Sequence, residues 1–179
     1  MSLHTVSVLV SDQPGVLTQV SSLFARRGFN IHSLAVGTTE RAGMSRMTIV
    51  VEVTGKPLEQ VTKQLTKLIS VIKVVELDDR DSVERELALV KVRTKPDERF
   101  QVLELAEIFR ARVIDVARST VTVEVSGPPA KVDALRELLE PYGLVEMVRT
   151  GRIALARGET GIRDKLRAGT TTAAARETA

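Results

Sequence analysis

The stretch Asp12-Gln13-Pro14-Gly15-Val16 holds the residue types in this chain best able to hold a small ligand. Pro presets φ, Gly tolerates unusual backbone angles and Asp bonds the backbone ahead of it, so the segment reads as a turn. An apolar stripe of helical spacing follows at Val16, Leu17, Val20, Leu23 and Phe24. The turn therefore delivers the N-terminus of a helix, where unpaired N–H groups and a partial positive charge suit a carboxylate. Gly15 adds no side chain to block close approach. Asn30, at the start of the next strand, offers a donor and an acceptor. A free amino acid fits such a crevice if Asn30 of one subunit faces the Gly15 loop of another. On spacing alone the plainer reading, a turn that simply begins a helix, is the favoured one.

Little else is equipped for chemistry. His4 opens a strand and His32 lies within one, which suits structural or surface roles. Asp78, Asp79 and Asp81 lack the Gly and the distant Glu of a calcium loop and read as a solvated linker. Glu104 and Glu107 share a helix face, as surface pairs often do. No Gly-rich phosphate loop is present. With no cysteine, disulfides, thiolate nucleophiles and Cys-type zinc sites are excluded. The chain reads as non-catalytic, with no metal of its own.

The elements that position the loop follow from periodicity. Leu3–Val10 alternates as a strand, the helix from Val16 ends at Gly28, and Asn30–Val36 and Arg46–Val53 are strands. Gly55-Lys56-Pro57 starts a second helix, with Val61, Leu65, Leu68, Ile69 and Ile72 as its stripe. Lys73–Leu77 is a fourth strand. After the charged Asp78–Ser82 the order recurs: strand Leu87–Val92, helix Phe100–Arg110 with Val102, Leu103, Ala106 and Phe109 inward, strands Val113–Ala117 and Thr120–Val125, a helix marked by Val132, Leu135, Leu138 and Leu139, and strand Leu144–Val148. Val53-Thr54-Gly55-Lys56-Pro57 is echoed by Val125-Ser126-Gly127-Pro128-Pro129, 72 residues on. The expected fold is α+β: two tandem ferredoxin-like βαββαβ domains, each an antiparallel sheet with both helices on one face. The other face and two edges are left uncovered, which predicts an oligomer. The expected divisions are 1–78, a linker at 79–86, a second domain at 87–158 and a disordered basic tail at 159–179.

From Gly151 onward, Arg152, Arg157, Arg163, Lys165, Arg167 and Arg176, against Glu159, Asp164 and Glu177, account for the whole net charge of +3. A neutral body with four Phe, one Tyr and no Trp is a poor footprint for nucleic acid. No apolar run reaches the roughly 18 to 20 residues of a membrane helix. With no secretory pattern, a cytoplasmic location is expected.

Ser7–Val10, Asp12–Leu17 and Leu23–Ile31 together resemble an ACT domain, the amino-acid-sensing form of this fold. Ser33–Val36, Ser45–Ile49, Leu58–Gln60 and Gln64-Leu65 resemble one ACT family, the regulatory subunits of acetolactate (acetohydroxyacid) synthase. So do Arg85–Val92, Ile108–Ala111, Val113–Val116 and the ending Leu155-Ala156-Arg157-Gly158. The resemblance implies a large catalytic partner that holds thiamine diphosphate, FAD and Mg²⁺ and condenses pyruvate to acetolactate, in branched-chain amino acid biosynthesis. It implies activation of that partner, feedback inhibition by valine, and a homodimer through the ACT domains. Carried over by motif, the effector positions are Asp12, Gly15, Val16, Leu17, Asn30 and Ile31. Where some members carry Asn, this chain has Asp12, whose charge favours a ligand ammonium. Effector choice among valine, leucine and isoleucine stays open. The second half has Lys95-Pro96-Asp97-Glu98 in place of the loop, so no such site is expected there. The competing readings are a free-standing ACT sensor of another enzyme, an effector-responsive transcription factor, which lacks a DNA-binding element here, and an RNA-binding domain, which lacks surface aromatics.

Overall fold

The computed structural model describes residues 2–53, 58–159 and 161–162. The expected helix start at Gly55-Lys56-Pro57, part of the repeat at Val53–Pro57 and most of the expected disordered tail lie outside them. The described residues divide into two compact units: those up to Val83 together with those from Ala154, and Glu84–Ile153.

The first unit runs β1 (Ser2–Ser11), α1 (Val16–Arg27), β2 (Asn30–Thr38), β3 (Met44–Val53), α2 (Leu58–Leu65) and β4 (Val71–Leu77). Its sheet order is β2-β3-β1-β4, and every neighbouring pair is antiparallel. The register sets Val6 opposite Ile49 and Val8 opposite Met47. Those side chains meet Val16, Val20, Leu23 and Phe24 of α1 and Leu58, Val61 and Leu65 of α2 in one core. Phe24 is fully buried, a contribution of about 1.5–3 kcal/mol from apolar burial. Gly28 closes α1 in the left-handed region, φ 69°, with Arg26 and Arg27 in the last turn, where cations suit the helix dipole.

The second unit repeats the order: β5 (Ser82–Arg93), α3 (Arg99–Ile108), β6 (Arg112–Val116), β7 (Thr120–Gly127), α4 (Pro129–Leu139), a 3-10 turn and β8 (Leu144–Arg149). A short β9 (Ile153–Ala156) pairs with β5, and the sheet order is β6-β7-β5-β8. Ala88, Val90 and Val92 pack with Val102, Ala106, Val132, Leu135 and Leu139. The duplication extends to irregularities. The register shifts at Leu9/Val10 and again at Lys91/Val92. It also shifts at Ile31/Ser33 and again at Val113/Asp115.

Several expectations are corrected. α2 ends at Leu65 and the Val71 N–H donates to the Leu68 carbonyl. Ile69 is therefore solvent-exposed, and Ile72 belongs to β4. The pull of β-branched Val71-Ile72 toward pairing with β1 ends the helical spacing early. Leu103 is more than a third exposed, whereas Val102 and Ala106 are buried. β5 begins at Ser82, five residues before the expected Leu87.

The main correction concerns the sheet face away from the helices, expected to be open in both units. In the first unit Thr5, Ser7, Leu9, Thr48, Val50 and Leu77 are all buried on that face. The chain returning from Ala154, itself buried, lies over part of it. No helix among the described residues is long and apolar enough to cross a membrane.

Candidate functional site

The loop between β1 and α1 is anchored at both flanks. Ser11 N–H donates to the Ser70 carbonyl and Asp12 N–H to the Gly43 carbonyl, each at 2.9 Å. Gly15 is the N-cap of α1 with φ 86° and ψ −10°. A Cβ there meets nothing within 4 Å, so the backbone angle, not crowding, is what calls for glycine. No side chain caps α1 and no acidic residue stands in its first turn. Asp12 and Gly15 are exposed. The result is a bare helix N-terminus at the surface, ready for an anion.

The six candidate residues divide into two groups. Val16 points into the core at 4% exposure, so only its backbone is available to a ligand, while Leu17 is 45% exposed and offers an apolar wall. Asn30 is exposed, and Ile31 is half-buried against the core. β1 and β2 both run antiparallel to β3, hence parallel to each other. Ser11 therefore sits beside Met44, with Thr38 beside Ser45, while Asn30 sits beside Glu52 at the far end. The eight steps from Asn30 to Thr38 span about 26 Å at strand rise. One chain thus keeps Asp12, Gly15 and Leu17 apart from Asn30 and Ile31. β2 is an edge strand, and antiparallel pairing of two β2 edges sets the start of one beside the end of the other. That brings Asn30 of one copy toward the Gly15 loop of its partner.

The remaining polar residues have structural work. His4 Nδ1 lies 2.9 Å from Glu76 Oε1. Asp78 accepts the Arg80 N–H at 2.9 Å, an Asx turn. Glu104 and Glu107 are exposed. Among the described residues no group of three or more His, Cys, Asp or Glu can hold a metal ion. Reading the sequence passed over Ser7 and Arg46, which line a cavity on the opposite sheet face. The available signal was a cation in a mostly apolar strand.

Comparison with known proteins agrees with this architecture. Residues 6–73 match the family described as the AHAS small subunit-like ACT domain, and residues 85–158 match the family described as the small subunit of acetolactate synthase. The acetolactate synthase small subunit of Mycolicibacterium smegmatis is 57% identical over 159 residues, 89% of this chain and 94% of that protein. A probable acetolactate synthase small subunit from Archaeoglobus fulgidus is 54% identical over 155 residues, 87% and 97% of the two chains. The crystal structure of the acetolactate synthase small subunit from Thermotoga maritima superposes with a TM-score of 0.82 at 43% identity, covering 89% of this chain and all of that one. With both halves matched in order and the relatives spanned almost end to end, this chain belongs to the acetolactate synthase small-subunit family.

Proposed function

We propose that this chain is the non-catalytic regulatory subunit of an acetolactate synthase. It raises the activity of a large catalytic subunit in branched-chain amino acid biosynthesis and makes that activity sensitive to valine. Group transfer, with thiamine diphosphate, FAD and Mg²⁺, belongs to the large subunit. The observation that carries the reading is the separation of Gly15 from Asn30 along a free edge strand. A dimer through β2 completes two equivalent effector sites. Each site takes the bare α1 terminus for the carboxylate, Asp12 for the ammonium and Leu17 for the aliphatic side chain from one chain, with Asn30 and Ile31 from the partner.

Regulation then follows by linkage. Valine that binds the paired state better than the unpaired one shifts the population, and a coupling of about 1–3 kcal/mol is typical. The test is acetolactate formation by the purified cognate large subunit, with and without this chain, and with and without valine. A rate raised by the chain and then lowered by valine is expected. An unchanged rate overturns the reading, and calorimetry with valine then separates a sensor for another enzyme from no sensor at all.

A further inference from the structure

The sheet face of the first unit turned away from α1 and α2 carries a cavity of about 210 Å³ that the effector reading does not use. Arg46 on β3, Ser7 on β1, and Val75 and Leu77 on β4 form its floor, and the returning chain at Ala154 and Ala156 forms much of its other wall. Ser7 pairs with Thr48 and with Val75, and Arg46 is two residues from Thr48. Ser7 and Arg46 are thus diagonal neighbours on one face, with backbones about 7–8 Å apart. One carboxylate can accept a hydrogen bond from each.

Each of the two side chains holds a buried polar atom without a partner among the described residues. Ser7 is 2% exposed, and its Oγ and the Arg46 Nε are buried without a hydrogen-bond partner among the described residues. A buried donor left unpaired carries its full desolvation cost, and an incoming acceptor removes it. Arg46 is the one cation among the described lining residues; Glu159, also lining, is exposed, so water screens its charge. The other walls are aliphatic. The volume exceeds the roughly 150 Å³ that holds a benzene ring.

We infer that this cavity binds a small aliphatic carboxylate, with Arg46 and Ser7 on the carboxylate and Val75, Leu77, Ala154 and Ala156 around the hydrocarbon. This does not rest on the proposed effector site, which lies at the end of α1 on the other face. The carboxylate has two sources to distinguish, a 2-oxo acid and an amino acid.

The test is calorimetric titration of the full chain with 3-methylbutanoate and with its uncharged amide. The acid should bind at one site per chain and the amide at least tenfold more weakly. Arg46→Gln should weaken the acid at least tenfold and Ser7→Ala several-fold. Ser7→Ala removes only an unpartnered hydroxyl, so it keeps the fold if Arg46→Gln does not. Competition by 3-methyl-2-oxobutanoate or by valine then identifies the source. Absence of 3-methylbutanoate binding overturns the inference, as does equal binding of the amide. Wild-type affinity in folded Arg46→Gln overturns it as well and sends the ligand elsewhere, whatever valine does to the holoenzyme.

Discussion

Substituting Gly15 separates backbone from charge at the proposed effector site. Its φ of 86° costs an L-residue about 1–2 kcal/mol, least for Asn and Asp, which visit this region most readily. Space is not limiting, because a Cβ meets nothing within 4 Å. Gly15→Asn therefore tests the backbone alone, and Gly15→Asp adds one negative charge at the start of α1. As an N-cap either side chain returns only about a few tenths of a kcal/mol relative to Gly, so both variants should melt slightly below wild type, and by similar amounts. A charge about 4 Å from the bound carboxylate opposes it by about 1 kcal/mol in water and about 4 kcal/mol where partly shielded. Valine should then bind Gly15→Asp roughly fivefold to a thousandfold more weakly than Gly15→Asn. Calorimetry with valine and inhibition of the reconstituted enzyme both read this. Equal losses in the two variants would show that charge is not the cause. Wild-type affinity in both would place the carboxylate elsewhere.

Three further outcomes are expected. Val36 is nearly half exposed on the β2 edge, so Val36→Lys should shift the chain toward monomer in sedimentation and weaken valine binding in parallel; a monomer with wild-type valine affinity refutes a shared site. Arg149 reaches Asp133 at 2.7 Å and also bonds Glu86, which is 6% exposed. Burial pulls the guanidinium's pKa down, and the hydrogen bonds it donates to Glu86 and Asp133 more than reverse this, so the stability linked to the arginine's own charge is complete at neutral pH and is lost as pH rises through its raised pKa. Arg149→Met strands the buried carboxylate and should cost about 2–3 kcal/mol in urea denaturation; a loss within error shows that Glu86 has another partner. Arg110 sits at φ 49°, the one non-glycine residue with positive φ among the described residues. There it makes the closure that Gly28 makes in α1, its N–H donating to Glu107 while Ala111 donates to Ala106. Arg110→Gly should add about 0.5–1 kcal/mol, and an unchanged or lower urea midpoint refutes that account.

The βαββαβ order, the Gly28 cap and the turn at Pro14-Gly15 were legible because each rests on local chemistry. The opposed positions of Gly15 and Asn30 were legible too, since a strand-helix-strand crossover makes the two strands parallel. The buried second face was also written in the chain. Thr48-Ile49-Val50-Val51 and Val8-Leu9-Val10 lack the polar alternation of a one-sided strand, and unbroken apolar runs mark two-sided burial. What local pattern does not supply is the identity of the cover, because Ala154 and Ala156 are far away in sequence. The same limit explains α2. Leu68, Ile69 and Ile72 have helical spacing, but Val71 pairs with Val10 of β1, a contact made only in the folded sheet.

Two copies of one fold with a single proposed effector loop call for a physical reason, and the starts of α1 and α3 supply it. In α1 the N-cap is Gly15 in the left-handed region, and neither a cap nor an acid occupies the first turn. In α3 the N-cap is Glu98 in right-handed helical geometry, and its carboxylate takes a 3.0 Å hydrogen bond from Lys95 Nζ. That hydrogen bond and the charge of Glu98 push the Lys95 ammonium above its ordinary pKa. The positive end of α3 therefore already has an acid of its own, neutralised by its own lysine. A ligand carboxylate arriving there finds a carboxylate already at that end, whereas at α1 it meets unpaired N–H groups. The proposed effector site belongs in the first unit for that reason, and the second unit keeps the same scaffold without the anion-binding end.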